Sequence, residues 1–178
     1  MITNKNKSQK LPKRCVIFGS NGFIGVNLVK SLKNEQTGLV EITSNDIDLT
    51  NDNSPEKVKD IVNINDTVII LSAMTPDRGR DVNTMMLNIK MIENLTKALK
   101  KIDVGQVIYF SSDAVYSFEN TLITENIATE ITDYYSAMHV VRETIIKTEL
   151  NSPTLFVRPT LVYGIGDTHN SYGPNRFI

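Results

Sequence analysis

The apolar run Cys15-Val16-Ile17-Phe18 passes directly into Gly19-Ser20-Asn21-Gly22-Phe23-Ile24-Gly25, and this junction constrains the fold more than any other stretch of the chain. Four consecutive apolar residues bounded by glycine read as a buried strand. Phe23, Ile24, Val26, Leu28, Val29 and Leu32 then supply the apolar side of a helix that starts at once. Glycines at a strand-to-helix junction bring main-chain N–H groups close to an anion, and the helix N-terminus adds a partial positive charge. Such a junction suits the pyrophosphate of a dinucleotide. The spacing is G-x-x-G-x-x-G, which matches the general G-x-G-x-x-G fingerprint only in part. A tight turn with two packing glycines accounts for the same residues.

Downstream, β-rich runs recur at 15–18, 39–43, 67–71, 106–110 and 154–157, separated by segments of helical periodicity. Ser54-Pro55-Glu56 reads as an N-cap, a proline at the first helical position and an acid in the first turn. The segment 82–100 places Met85, Asn88, Ile89, Ile92, Leu95, Thr96 and Leu99 on one face. Strands alternating with helices predict βαβ units, a parallel sheet and right-handed crossovers. The expected fold is therefore α/β, a doubly wound parallel sheet of Rossmann type with helices on both faces. It is expected to run from residue 13 to 165, behind a disordered lead-in over 1–12.

With 178 residues, 40% apolar and 22% charged, the chain is long enough for one domain with a substantial core. A net charge of -1 gives no electrostatic basis for binding nucleic acid or a membrane surface. Cys15 is the only cysteine and lies within the first apolar run, which excludes an internal disulfide and disfavours a nucleophile. The longest apolar stretch, Val68 to Met74, is too short to cross a bilayer, and nothing at the N-terminus reads as a signal peptide. A cytoplasmic protein is expected.

In sheets of this kind ligands bind beyond the carboxyl ends of the strands. The second strand ends in Thr43-Ser44-Asn45, with neither an acid for a free ribose 2′-hydroxyl nor an arginine for a 2′-phosphate. Asp46 is close to the place expected for such an acid, and an Asx turn explains it equally well. The choice between NAD and NADP stays open. The third strand leads into Leu71-Ser72-Ala73-Met74, small enough for a cofactor to lie against the backbone or to form a plain loop. Asn88 is an amide on an apolar helical stripe; it needs partners, and either ties neighbouring backbones together or positions a cofactor. The fourth strand ends in Tyr109-Phe110-Ser111-Ser112-Asp113-Ala114-Val115-Tyr116. After a polar segment reaching Asp133, Tyr135 and His139 stand four residues apart on one side of a predicted helix. Ser112, Tyr135 and His139 form a proton-transfer set; taken singly they read as a strand cap, a packed ring and a solvent-facing imidazole.

Taken together, these segments resemble the extended branch of the short-chain dehydrogenase/reductases, the NAD-dependent epimerase/dehydratase family acting on nucleotide sugars. That family's own glycine motif is G-x-x-G-x-x-G. Asp48-Leu49 resembles its Asp-Leu pair near the adenine, Leu71-Ser72-Ala73 its small-residue motif, and Asn88 its helix asparagine. Ser111-Ser112-Asp113-Ala114-Val115-Tyr116 is similar to its Ser-Ser-x-x-Val-Tyr signature, and Arg158-Pro159-Thr160-Leu161-Val162-Tyr163-Gly164 to its Arg-Pro-x-x-Val-Tyr-Gly segment. The resemblance implies a cofactor, NAD or NADP, held by residues 19–25 (Gly19, Ser20, Asn21, Gly22, Phe23, Ile24 and Gly25), Ser44, Asp48, Leu49, residues 71–74, Asn88, Ser111, Tyr135, His139 and Pro159. It also implies Tyr135 as general acid/base, Ser112 as hydrogen-bond partner of the reacting oxygen, and Asp113 as a second proton donor or a turn residue. A homodimer through the helices containing Val82 and Tyr135 is a further implication.

Two departures bear on activity. The family carries Tyr-x-x-x-Lys, where this chain reads Tyr135-Ser136-Ala137-Met138-His139. An unperturbed histidine, with a pKa near ~6.5, is about one quarter charged at pH 7, so it helps a tyrosine phenol of pKa ~10 less than lysine does. The chain also ends at Ile178, where a substrate-binding lobe is expected to begin over 166–178, with Arg176 a candidate for a substrate phosphate. The sequence therefore supports an NAD(P)-dependent nucleotide-sugar epimerase, dehydratase or reductase. The alternative is a dinucleotide-binding module without catalysis.

Overall fold

The computed structural model describes residues 11–117 and 122–167. The lead-in up to residue 10, and Arg176 with most of the region 166–178, lie outside the described residues. Among the described residues five strands form one sheet: β1 (Arg14–Phe18), β2 (Gly38–Ile42), β3 (Thr67–Ile70), β4 (Gln106–Phe110) and β5 (Thr154–Val157). Every pairing is parallel, in the order β2-β1-β3-β4-β5. The helices are α1 (Phe23–Leu32), α2 (Ser54–Ile61), α3 (Val82–Leu99) and α4 (Tyr134–Glu149).

The alternation of side chains along each strand builds two cores of unequal size. Val16, Phe18, Val68, Ile70, Val107 and Tyr109 face a layer holding Val58 of α2, Ile92, Leu95 and Leu99 of α3, and Ile146 of α4. Cys15, Ile17 and Ile69 face the other way, where Val29, Leu28 and Leu32 of α1 cover them. Helices therefore flank both faces, three on the first and one on the second. Because β1 and β3 are buried on both sides, they read as unbroken apolar runs rather than alternating ones. Each fully buried Val, Ile or Phe side chain contributes about 2 kcal/mol by leaving water.

Helix ends follow local chemistry. The N-cap of α2 is Asn53, without a side-chain bond, so Ser54 opens the helix rather than capping it. Asp81 caps α3 by accepting from the Thr84 N–H at 2.8 Å. Asp133 and Ser136 form a reciprocal capping box on α4, which fixes where the helix bearing Tyr135 begins. Thus α4 starts where its cap dictates and lies against α3.

The chain turns back across the sheet after β2, so the connections leaving β1 toward β2 and β3 toward β4 diverge. The crevice this opens, at the carboxyl ends of β1 and β3, is the place where open α/β sheets hold ligands.

Candidate functional site

Gly19 closes β1 with φ +88°, a region that side chains other than glycine adopt only with strain. A Cβ on Gly19 would lie 2.8 Å from the Ser72 nitrogen, so the glycine loop and the segment after β3 touch backbone to backbone. The Leu71 N–H donates to the Phe18 carbonyl at 2.9 Å, which extends the β1–β3 pairing into this contact. Gly25 is buried, and a Cβ there would overlap the Gly19 carbonyl oxygen. Gly22 is the N-cap of α1 and has no side chain to satisfy the first-turn N–H groups. Ser20 is buried and held by the Ile42 carbonyl, while Asn21 is exposed and Phe23 and Ile24 are half-buried.

Beyond β2, Asp46 accepts from the Thr43 N–H at 2.9 Å and from its hydroxyl at 2.7 Å. Those bonds hold its carboxyl below the usual range and commit it to a turn. Ser44 is exposed beside it. Asp48 accepts from the N–H and hydroxyl of Thr50, and Leu49 is buried in the larger core. The Leu49 carbonyl accepts from Asn94 Nδ2 at 2.9 Å. This buried α3 asparagine fixes the loop after β2 and was missed in the sequence, where it falls off the apolar stripe.

Asn88 serves as a tie between backbones. Its Oδ1 accepts from the Met74 N–H at 2.8 Å and its Nδ2 donates to the Met74 carbonyl at 3.0 Å, joining the segment 71–74 to α3. Ser72 and Ala73 are held between this anchor and the glycine loop, both half-buried. Ser111, beyond β4, donates its N–H to the Val157 carbonyl at 2.8 Å. Ser112 caps the 3-10 turn Asp113–Val115 rather than the strand: its Oγ accepts from the Ala114 N–H at 3.2 Å and donates to Asp113 at 3.3 Å. The Pro159 carbonyl accepts from the Asp113 N–H at 3.2 Å, linking the ends of β4 and β5.

On α4, Tyr134 is 52% exposed whereas Tyr135 is half-buried. The Tyr135 ring meets the His139 ring edge-on, with centroids 4.7 Å apart. His139 does not face solvent. It is 2% exposed, and its Nδ1 lies 2.7 Å from the Tyr109 hydroxyl. Burial, reinforced by the Arg142 charge, pushes its pKa down to about 3, so the partial charge expected of a free histidine at pH 7 is lost. Burial also pushes the Tyr109 phenol up to about 12. The Cys15 thiol is buried and raised by desolvation and by Asp66, which keeps it protonated and inert.

Arg142 is fully buried one turn beyond His139. It donates to the Ser72 carbonyl at 2.8 Å and to Asn88 Oδ1 at 3.1 Å, and its guanidinium lies 5.1 Å above the Tyr109 ring. Sequence reading missed it, because an arginine on a helix reads locally as one more solvated charge. Arg158, after β5, donates to Glu143 through Nε at 2.9 Å and Nη2 at 2.5 Å, and to the Tyr116 hydroxyl at 2.7 Å. That clamp joins the 3-10 turn and α4 to the end of β5.

The segment ends after β1, β3 and β4 and the inner side of α4 thus meet around one crevice. An uncapped helix N-terminus at Gly22 and the partnerless buried hydroxyls of Ser72 and Ser111 fit a dinucleotide lying there. Among the described residues no group of three or more His, Cys, Asp or Glu could hold a metal ion, and no helix is long and apolar enough to cross a membrane.

Solved structures of similar fold include a dTDP-4-dehydrorhamnose reductase from Clostridium acetobutylicum, 23% identical with a TM-score of 0.76 over 88% of this chain and 56% of that one. RMD from Pseudomonas aeruginosa complexed with NADPH is 26% identical, with a TM-score of 0.72 over 90% of this chain and 57% of that one. UDP-N-acetylglucosamine 4-epimerase from Bacillus cereus is 22% identical, with a TM-score of 0.72 over 86% and 55%. The chain thus spans little more than half the length of these proteins. No curated protein matches it in sequence. Residues 15–178 match the model of the NAD dependent epimerase/dehydratase family, whose cofactor class is the one this crevice fits. The chain belongs to the NAD-dependent epimerase/dehydratase family.

Proposed function

We propose that this chain is the cofactor-binding part of an NAD(P)-dependent oxidoreductase, epimerase or dehydratase acting on a nucleotide sugar. The observation that carries the reading is the backbone contact between Gly19 and Ser72 at the carboxyl ends of β1 and β3, beside the uncapped start of α1. A diphosphate lies there against α1, and the segment 71–74 supports the flat remainder of the dinucleotide. When bound, the cofactor accepts or returns a hydride at a sugar carbon. Tyr135 takes the proton from the hydroxyl on that carbon, or gives it back to the carbonyl oxygen, while Ser112 hydrogen-bonds the same oxygen. Asp113 is held in its turn by Ser112 and Pro159, which supports its role as a turn residue over that of a second proton donor. Residues 13–165 form the unit that holds the cofactor, and a homodimer through the outer faces of α3 and α4 belongs to the same proposal.

The test is a fluorescence titration with NADH and NADPH, followed by hydride exchange with a panel of nucleotide sugars. Binding with exchange supports the enzyme; no binding of either dinucleotide overturns it. A second reading, a binding module without turnover, is favoured by the neutral His139 that stands where the family motif has a lysine. Tight binding with no exchange in any sugar decides for that module.

A further inference from the structure

Among the described residues five buried side-chain polar atoms lack a partner, and four of them belong to Ser72, Ser111, His139 and Arg142. The four cluster for a geometric reason. Ile70 and Tyr109 point into the α3–α4 layer, and Ser72 and Ser111 follow each by two residues, so they leave the same face of the sheet. His139 and Arg142 reach that layer from α4, three residues apart and hence on one side of the helix. The two nitrogens of His139 differ sharply. Nδ1 is matched to the Tyr109 hydroxyl at 2.7 Å, whereas Nε2, on the other edge of the ring, is buried without a partner.

We propose that Tyr109 and Arg142 are positioning residues that fix His139 as a neutral imidazole with its proton on Nε2, a donor aimed at an acceptor oxygen of the bound dinucleotide. This rests on the cofactor reading proposed above and goes beyond it in naming the tautomer and what sets it. The Tyr109 hydroxyl can donate or accept, but it is buried and its one side-chain hydrogen bond among the described residues is the one to Nδ1, so its proton is satisfied only if it donates there. Nδ1 then accepts and the single imidazole proton goes to Nε2. Arg142 cannot accept a proton or a hydrogen bond; lying over the Tyr109 ring, it keeps that phenol in place and opposes a second positive charge on His139. The ionisable groups around His139 are Tyr109 on β4 and Tyr135, Arg142 and Glu143 on α4. Glu143 is taken by Arg158, Asp113 of the adjoining turn is held by Ser112, and α3 presents the uncharged Asn88. Among the described residues no carboxylate is therefore placed to draw a proton onto the ring. A buried N–H with no partner is costly unless a ligand supplies one, and the hydroxyls of Ser72 and Ser111 flank the position where that ligand lies.

The test combines long-range proton–nitrogen NMR of the histidine-labelled chain with NADPH titrations, both between about pH 5 and 8.5. The proposal expects the Nε2–H tautomer for His139 throughout, with no titration step. In Tyr109→Phe it expects a mixed tautomer and NADPH affinity lower by about three- to tenfold, a loss of one neutral hydrogen bond. His139→Gln, which keeps an N–H near the Nε2 position, binds within about threefold of the parent chain, and His139→Phe loses about tenfold. An Nδ1–H tautomer, or a titration near pH ~6.5 in the parent chain, overturns the proposal while leaving the cofactor reading intact. Equal NADPH affinity in the parent chain and His139→Phe overturns it as well. A parent chain showing the Nε2–H tautomer but binding neither dinucleotide overturns the cofactor reading, and this ligand assignment with it. The tautomer measurement needs no variant, so a poorly folding substitution does not blunt it.

Discussion

Asn88 grips Met74 at both ends of its peptide group, accepting from its N–H at 2.8 Å and donating to its carbonyl at 3.0 Å. The same Oδ1 accepts from Arg142, so one buried amide joins α3, α4 and the segment after β3. Asn88→Leu is expected to cost about 2–4 kcal/mol, because it strips several buried polar groups of partners at once. Asn88→Asp keeps the acceptor and supplies a counter-charge to Arg142, so its loss should be smaller. Urea unfolding of the two variants checks the order, and the opposite order would count against Asn88 acting as a joint.

The three glycines of the first loop should separate folding from binding. Gly25→Ala would drive a Cβ into the Gly19 carbonyl oxygen, and Gly19→Ala combines a 2.8 Å contact with φ +88°. Each is expected to destabilise by about 2 kcal/mol or more. Gly22→Ala meets only an ordinary 3.5 Å contact and should change stability by less than about 1 kcal/mol. Any loss of NADPH affinity in Gly22→Ala therefore reports on the ligand's approach to α1, measured by fluorescence titration beside a thermal melt.

His139 links stability to pH. Its folded pKa of about 3 lies below the unfolded value of 6.5, so below pH 6.5 the unfolded chain takes up a proton that the folded chain refuses. Stability should therefore fall as pH drops, by about 1.4 kcal/mol per unit, or about 2 kcal/mol between pH ~6.5 and ~5. His139→Gln removes this component. Urea midpoints of the two chains across that window should converge toward acid; parallel curves would show a protonated or accessible imidazole.

Introducing lysine at position 139 is not a simple repair in this structure. The ammonium brought in by His139→Lys would lie in the layer that already contains the buried Arg142 guanidinium, and no carboxylate among the described residues pairs with that guanidinium. His139→Lys should destabilise by about 3 kcal/mol at pH ~7 and recover as pH rises toward the lysine's unfolded pKa, since the folded state then refuses fewer protons. Adding Arg142→Gln removes the second cation and should restore part of the loss. Denaturation of the single and double variants at neutral pH and near pH ~9 measures both effects.

The Glu143–Arg158 pair offers a control away from the crevice's ligand. Glu143→Gln leaves Arg158 half-buried with only the Tyr116 hydroxyl as a full partner, at an expected cost of about 2–4 kcal/mol. Dinucleotide affinity in the folded fraction should change by less than about threefold. A large affinity loss would place Glu143 within the site.

Strand positions were legible in the chain because β1 and β3 are buried on both faces and so leave unbroken apolar runs between turn residues. The glycine loop, Asn88 and the Tyr135–His139 spacing were equally legible, since each is a polar or small residue that local periodicity cannot explain. The state of His139 was not. Its neutrality depends on Tyr109, thirty positions back in the chain, and on the depth at which α4 packs. Arg142 reads locally as one more charged helical residue, and only the packing of α4 against α3 removes it from water. Local pattern determined which segments would be strands, helices and turns, because those choices rest on short-range sterics and on the period of apolar residues. Charge, tautomer and partnership depend on what lies opposite each group across the layers, and there the tertiary structure alone decided.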